Sequence, residues 1–238
     1  MEFVVIGATA RDIAIHALVG RPPLRATMDV DVAIMVAGWE AYAVFTRPFA
    51  PRSVPHRFGV RGVDVDVVPI GGVEVEGVVR FSDGGVLDAL GLQEALIDPL
   101  LVELGPSVVV RVASPAAQTI LKLLAWRDRG HSTDKDARDF AVILEASSRE
   151  PFVAEVWEQE DVLAHYDFDI EVAGAFVWGR EAAGLFANRQ RALPVYLMLE
   201  DVALRNRLIG AMRDGLAAER LRGYRDGFRS RYAATGGE

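Results

Sequence analysis

MDVDVAIMV (residues 28–36) and VRGVDVDVVP (residues 60–69) are the two stretches on which the reading of this chain turns. The first alternates with the period of a β-strand, so Asp29 and Asp31 project from one face while Val30 and Val32 project from the other. The second repeats the device with Asp64 and Asp66 on a shared face. Two carboxylates side by side on a strand either present a polar face to water or form part of a cation site. Taken alone, Asp-x-Asp favours the first.

Working outward, FVVI (residues 3–6) reads as a short buried strand ending at Gly7, with helical spacing over residues 10–19. Residues 73–81 and 107–112 are valine-rich and bounded by Gly and Pro, which predicts strands, whereas residues 86–104 read as largely helical. Ser114 and Pro115 form an N-cap followed by proline at the first helical position. That helix extends to about residue 129, and a second follows over residues 134–146. From Pro151 onward there is no strand pattern, only amphipathic helical stretches around 170–186 and 194–224. The expected fold class is therefore α+β, with a mixed sheet flanked by helices over 1–148 and an α-helical C-terminal lobe over 149–238.

Composition narrows the chemistry. The chain has 238 residues, 51% of them hydrophobic, enough for one large core or two modest ones. With no cysteine, a disulfide framework, a thiolate zinc site and a thiol nucleophile are all excluded. The start, MEFVVIGATARD, lacks a basic leader and reaches charged residues too early for a signal peptide. No stretch approaches the roughly 20 apolar residues of a membrane helix, so no membrane partner is expected and the expected location is the cytoplasm. A net charge of −8 argues against a surface that grips nucleic acid everywhere by counter-ion release. A local stripe remains, carried by the arginines between 205 and 231, although Asp214, Glu219 and Asp226 interleave with them.

Two aspartates with a further carboxylate on a neighbouring strand call for a cation, and Mg²⁺ suits all-oxygen ligands. Gly7-Ala8-Thr9, directly after the first strand, is a turn of small residues that lets backbone N–H groups approach phosphate. Of the 26 basic residues only Lys122 and Lys135 are lysine. Lys122 lies among Ile120, Leu121, Leu123 and Leu124, and helical spacing puts it on one side with Trp126 and Arg129. Its amine either snorkels to solvent or reaches an anion such as a phosphate. On the next helix Asp136 and Asp139 share a face.

In chain order VIGATARD, RATMDVDVAI, VDVDVVP, LKLLAWRDR and DKDARDF resemble the AbiEii/AbiGii-type nucleotidyltransferase family of the polymerase-β-like superfamily, over residues 3–147. The resemblance implies a nucleotidyltransferase fold for the N-terminal domain and assigns roles by position. Gly7, Ala8 and Thr9 stand for the Gly-Gly-Ser/Thr phosphate turn, with alanine at its second position. Arg25 and Thr27 precede the metal-binding pair Asp29 and Asp31 and join the nucleotide-binding set. The third carboxylate is Asp64 or Asp66, and Asp66 is favoured because it directly precedes Val67-Val68-Pro69. Lys122 would hold nucleotide phosphates, with Asp136 as the helical acid of the fourth motif and Asp139 its supporting neighbour.

The implied cofactor is Mg²⁺, with Mn²⁺ as an alternative. The implied reaction moves a nucleoside monophosphate from an NTP to an acceptor hydroxyl, releasing pyrophosphate. The acceptor is expected to be RNA, particularly a tRNA 3′ end, and the chain to be the toxin half of a toxin–antitoxin pair with an antitoxin protein as partner. Two rival expectations stand beside this. One is transfer to a protein or to a small molecule such as an aminoglycoside, and the other is a catalytically inactive nucleotide-binding interaction module.

Overall fold

The valine-rich runs form strands because β-branched side chains fit a pleated, half-buried surface. In a computed structural model describing residues 2–23 and 27–234, they are β1 (Phe3–Ile6), β2 (Asp29–Val36), β3 (Ala50–Pro51), β4 (Arg57–Val60) and β5 (Val63–Gly71), then β6 (Glu74–Val75), β7 (Val78–Arg80), β8 (Val86–Asp88), β9 (Leu100–Gly105) and β10 (Val108–Val112). Seven of them make a mixed sheet in the order β3-β4-β5-β2-β1-β10-β9, and β6, β7 and β8 make a small antiparallel sheet. Within the large sheet β2 runs parallel to β5 and β1 parallel to β10, while the other neighbours are antiparallel.

Among the described residues this unit has two α-helices. One is α1 (Gly7–Arg11), which runs on into a wide π turn over Asp12–Ala17, and the other is α2 (Trp39–Thr46). Val4 and Ile70 are buried on one face of the sheet and Ile34 on the other, and Ala10, Ala14 and Ile15 of α1 and its extension are buried too. Tyr42 of α2 donates its phenol hydrogen to the Val67 carbonyl at 2.9 Å, which fixes α2 against β5.

Residues 58–69, read as a continuous alternation, fold as the β4–β5 hairpin. Arg61 and Gly62 both have positive φ (49° and 87°), the conformation of a two-residue turn that matches the twist of the paired strands. Residues 86–104 are not helical. They hold β8, a three-residue 3₁₀ turn at Glu94–Leu96 and β9, which forms a hairpin with β10. Gly91, at φ 88°, interrupts the helical pattern there, and pairing with β10 overrides the local leucine and alanine content.

The second unit is helical: α3 (Pro115–Arg129), α4 (Lys135–Ala146), α5 (Val153–Trp157), α6 (Glu160–His165), α7 (Ile170–Gly184), α8 (Arg189–Glu200), α9 (Val202–Met212) and α10 (Ala217–Ala234). The division into compact units falls between Ser114 and Pro115, with residues 18–20 grouping with the helices. Helices α3 and α4, assigned above to a first domain ending at residue 148, thus lie in the compact unit of the C-terminal helices. Among the described residues no helix is long and apolar enough to cross a membrane.

α7 and α10 meet backbone to backbone. A Cβ built on Gly179 would overlap the Tyr224 carbonyl, one on Gly223 the Val172 carbonyl, and one on Gly227 the Phe176 carbonyl. Tyr224 then ties α10 to its neighbours, with its hydroxyl 2.8 Å from that of Thr119 on α3 and its ring edge-on to Phe140 of α4. Two glycine substitutions should therefore differ in sign. Gly227→Ala forces the helices apart and should cost about 2 kcal/mol or more, as overpacking does. Gly210→Ala meets nothing within 4 Å in α9. It should stabilise by roughly 0.5–1 kcal/mol through helix propensity. Urea unfolding of both variants checks the contrast.

Candidate functional site

The parallel register of β2 and β5 pairs Asp29 with Asp64 and Asp31 with Asp66. Paired positions share a face, and so do alternate positions along a strand, so all four carboxylates lie on one side of the sheet. Neighbours are about 5 Å apart across the strands and about 7 Å apart along them. Like charges about 5 Å apart at an effective dielectric of about 20 repel by roughly 3 kcal/mol. Such a face requires positive charge.

β4 delivers it. Arg57 lies opposite Asp66 in the antiparallel β4–β5 pair. Its Nε donates to Asp66 Oδ1 at 2.6 Å and its Nη2 to Asp66 Oδ2 at 2.8 Å, and the same Nη2 reaches Asp29 Oδ2 at 3.2 Å. The hydrogen bond and charge of Asp66 make the guanidinium still harder to deprotonate than usual. Arg52 does the same for Asp64, with Nε donating to Oδ1 at 2.8 Å. Gly59, the register partner of Asp64, has no side chain, and a Cβ there would overlap the Arg52 guanidinium. Neither arginine was identified from the sequence. The available signal was Arg57-x-Gly59 ahead of the Arg61-Gly62 turn, which mirrors Asp64-x-Asp66 across a hairpin.

The residues before this face are packed closely around it. Gly7 has φ 70°, and a Cβ on it would overlap the Asp31 carboxylate, so glycine is required by both conformation and space. Ala8 is half-buried. Thr9 donates its hydroxyl to the Asp29 carbonyl at 3.2 Å, which ties α1 to the start of β2. Thr27 donates to Asp12 Oδ2 at 3.3 Å, and Asp12 Oδ1 accepts from the fully buried Arg11 at 2.6 Å. Arg25 lies outside the described residues.

Lys122, Asp136 and Asp139 come together inside the helical unit. The Lys122 ammonium is 2.7 Å from Asp139 Oδ2 and 3.3 Å from Asp136 Oδ1, and Arg129 donates two further bonds to Asp136. Asp136 and Asp139 are buried, and Lys122 is 7% exposed. Burial alone would raise the Asp136 carboxyl. The Arg129 hydrogen bond and the Lys122 and Arg129 charges outweigh burial and hold it below the ordinary carboxylate range.

Asp29, Asp31 and Asp66 offer the hard oxygen donors that Mg²⁺ takes, and two of the three already share one positive group. Among the described residues no three His, Asp or Glu side chains have the convergence of a closed metal site. In the arrangement seen, the Asp66 and Asp29 oxygens point at Arg57. The donor set fits the ion in chemical type, and Arg57 stands between two of its members.

On the opposite face of the sheet, where Phe58 points because it follows Arg57 on the strand, a cleft of about 500 Å³ is walled by Trp39, Tyr42, Phe58 and Phe81. It contains none of the acidic cluster. No protein-family model matches this sequence, and no curated protein matches it.

Asp136→Asn should destabilise the protein by about 3 kcal/mol or more at neutral pH, because it leaves buried positive charge uncompensated. A carboxyl depressed in the folded state stabilises fully above its unfolded value, near pH 4, and loses that contribution as pH falls through the folded value. Thermal melts at pH 7 and pH 3 should therefore show a large gap between wild type and variant at pH 7 and a reduced gap at pH 3.

Proposed function

We propose that this chain is a divalent-metal-dependent nucleotidyltransferase that moves a nucleoside monophosphate from an NTP to an acceptor hydroxyl and releases pyrophosphate. The observation that carries this reading is the in-register pairing of Asp29 with Asp64 and Asp31 with Asp66, which gathers carboxylates distant in sequence onto one face. The ordered motifs that resemble the AbiEii/AbiGii-type family support it. Asp29, Asp31 and Asp66 would hold Mg²⁺ or Mn²⁺, which would supply neutralisation of the triphosphate oxygens and ionisation of the acceptor hydroxyl. Asp66 is favoured over Asp64 because it is the register partner of Asp31 and its side chain is 11% exposed, whereas the Asp64 side chain is 43% exposed beside Arg52.

Asp66 would also accept the acceptor proton, which requires Arg57 to release one of its oxygens. Gly7, Ala8, Thr9, Arg25 and Thr27 would line the nucleotide. The resemblance alone assigns Lys122 to the phosphates; in the helical unit its ammonium pairs with Asp136 and Asp139. The acceptor is RNA, with a tRNA 3′ end first among candidates, in a chain acting as a toxin restrained by an antitoxin. The arginines of the last helices offer limited support for an RNA surface. Arg213 pairs with Asp134, Arg220 with Glu171 and Asp214, and Arg225 with Asp226.

A second reading, an inactive nucleotide-binding module, is favoured by one observation: Arg57 takes both oxygens of Asp66. It requires NTP binding without pyrophosphate release at any Mg²⁺ concentration.

Incubating the protein with each labelled NTP and, in parallel, total RNA, total protein or an aminoglycoside separates these readings. Label should enter RNA with equimolar pyrophosphate. Asp31→Asn should cut transfer by at least about a hundredfold, the scale of losing charge stabilisation in a transition state, with an unchanged circular dichroism spectrum. Undiminished transfer by Asp31→Asn contradicts the assignment. Label entering only protein or aminoglycoside moves the acceptor and leaves the chemistry.

A further inference from the structure

We infer that Arg57 is a built-in competitor of the divalent cation, so that metal loading is a displacement of its guanidinium from Asp66 and Asp29. This inference rests on the metal-dependent reading above. The geometry that supports it is a single group bridging two of the three proposed ligands. Arg57 makes a two-point pair with Asp66 at 2.6 and 2.8 Å and extends to Asp29 at 3.2 Å. A cation bound by the same oxygens and this guanidinium cannot both hold them.

The two partners differ in what they tolerate. Asp66 is 8% exposed, and a carboxylate so little hydrated is not left without a counter-charge. The metal-free state with Arg57 withdrawn is therefore a minor one, and an arriving cation exchanges for the guanidinium. The Arg57 side chain is 33% exposed, enough for a long, flexible side chain to swing toward solvent from its place on β4. Arg52 provides an internal contrast. It has the same charge on the same face, but its partner is Asp64, and both side chains are about 40% exposed. Removing either arginine deletes one positive charge, but of the two it is Arg57 that occupies oxygens of Asp66 and Asp29.

Displacement has a measurable consequence. If the state with Arg57 withdrawn is populated about one time in ten or less, the apparent metal affinity of the wild type is lowered about tenfold or more. Mn²⁺ alone, titrated into the full chain and followed by the electron paramagnetic resonance signal of the free ion, reads this without any turnover. Arg57→Gln should bind Mn²⁺ at least about tenfold more tightly than wild type, and Arg52→Gln should stay within about threefold, as expected for a screened surface charge.

Arg57→Lys, which keeps a positive charge on β4 but loses the two-point pair, should fall between wild type and Arg57→Gln. It remains informative if Arg57→Gln does not fold. Equal tightening by Arg52→Gln and Arg57→Gln overturns the inference, since charge alone would then explain it. Wild-type binding that Arg57→Gln and Arg57→Lys leave unchanged or weaken also overturns it, while the metal site stands. No Mn²⁺ binding by any of the proteins overturns both the inference and the metal-dependent reading.

Discussion

Parallel pairing of β2 with β5 in a register that puts aspartate beside aspartate is the constraint from which the rest of the first unit follows. A one-residue slip of β5 would turn Asp64 and Asp66 to the other face and set valines beside Asp29 and Asp31. The native register instead concentrates negative charge, and the neighbouring segments are shaped to bear it. Arg57 on β4 and Arg52 before it supply counter-charge, Gly59 vacates the space Arg52 needs, and Gly7 vacates the space taken by Asp31. Thr9 and Thr27 use their hydroxyls to tie α1 and the start of β2 together.

The helical unit uses the same device in a drier setting. Asp136 and Asp139 are almost wholly buried and are matched by Lys122 and Arg129. Its other economy is steric. Glycines at 179, 223 and 227 let α7 and α10 approach until backbone meets backbone. Each unit thus has its own source of specificity, one ionic across strands and the other ionic and steric between helices.

Much of this was legible in the chain. The alternation of MDVDVAIMV required a strand with paired aspartates, Ser114-Pro115 marked the start of α3, and the absence of any strand pattern beyond Pro151 matched the run of helices. What local pattern cannot express is long-range pairing. Nothing in residues 28–36 specifies that β5 lies alongside, parallel and in register. Arg57 and Arg52 escaped notice because their significance exists only across the hairpin. Residues 86–104 were misread because leucine and alanine favour helix locally, whereas partnership with β10 decides the outcome at β9. Lys122 was legible as an unusual residue for a core helix, but its two carboxylate partners emerge only from the packing of α3 on α4.

The central claim is that Asp29, Asp31 and Asp66 form one divalent-cation site serving a nucleoside triphosphate. Anomalous diffraction from crystals of the whole chain soaked with Mn²⁺ and a non-hydrolysable NTP tests it directly. A peak touching oxygens of all three aspartates, with the triphosphate adjoining it and Arg57 withdrawn from Asp66, is the expected result. Bound nucleotide with Arg57 still clasping Asp66 and no peak at these carboxylates would contradict it.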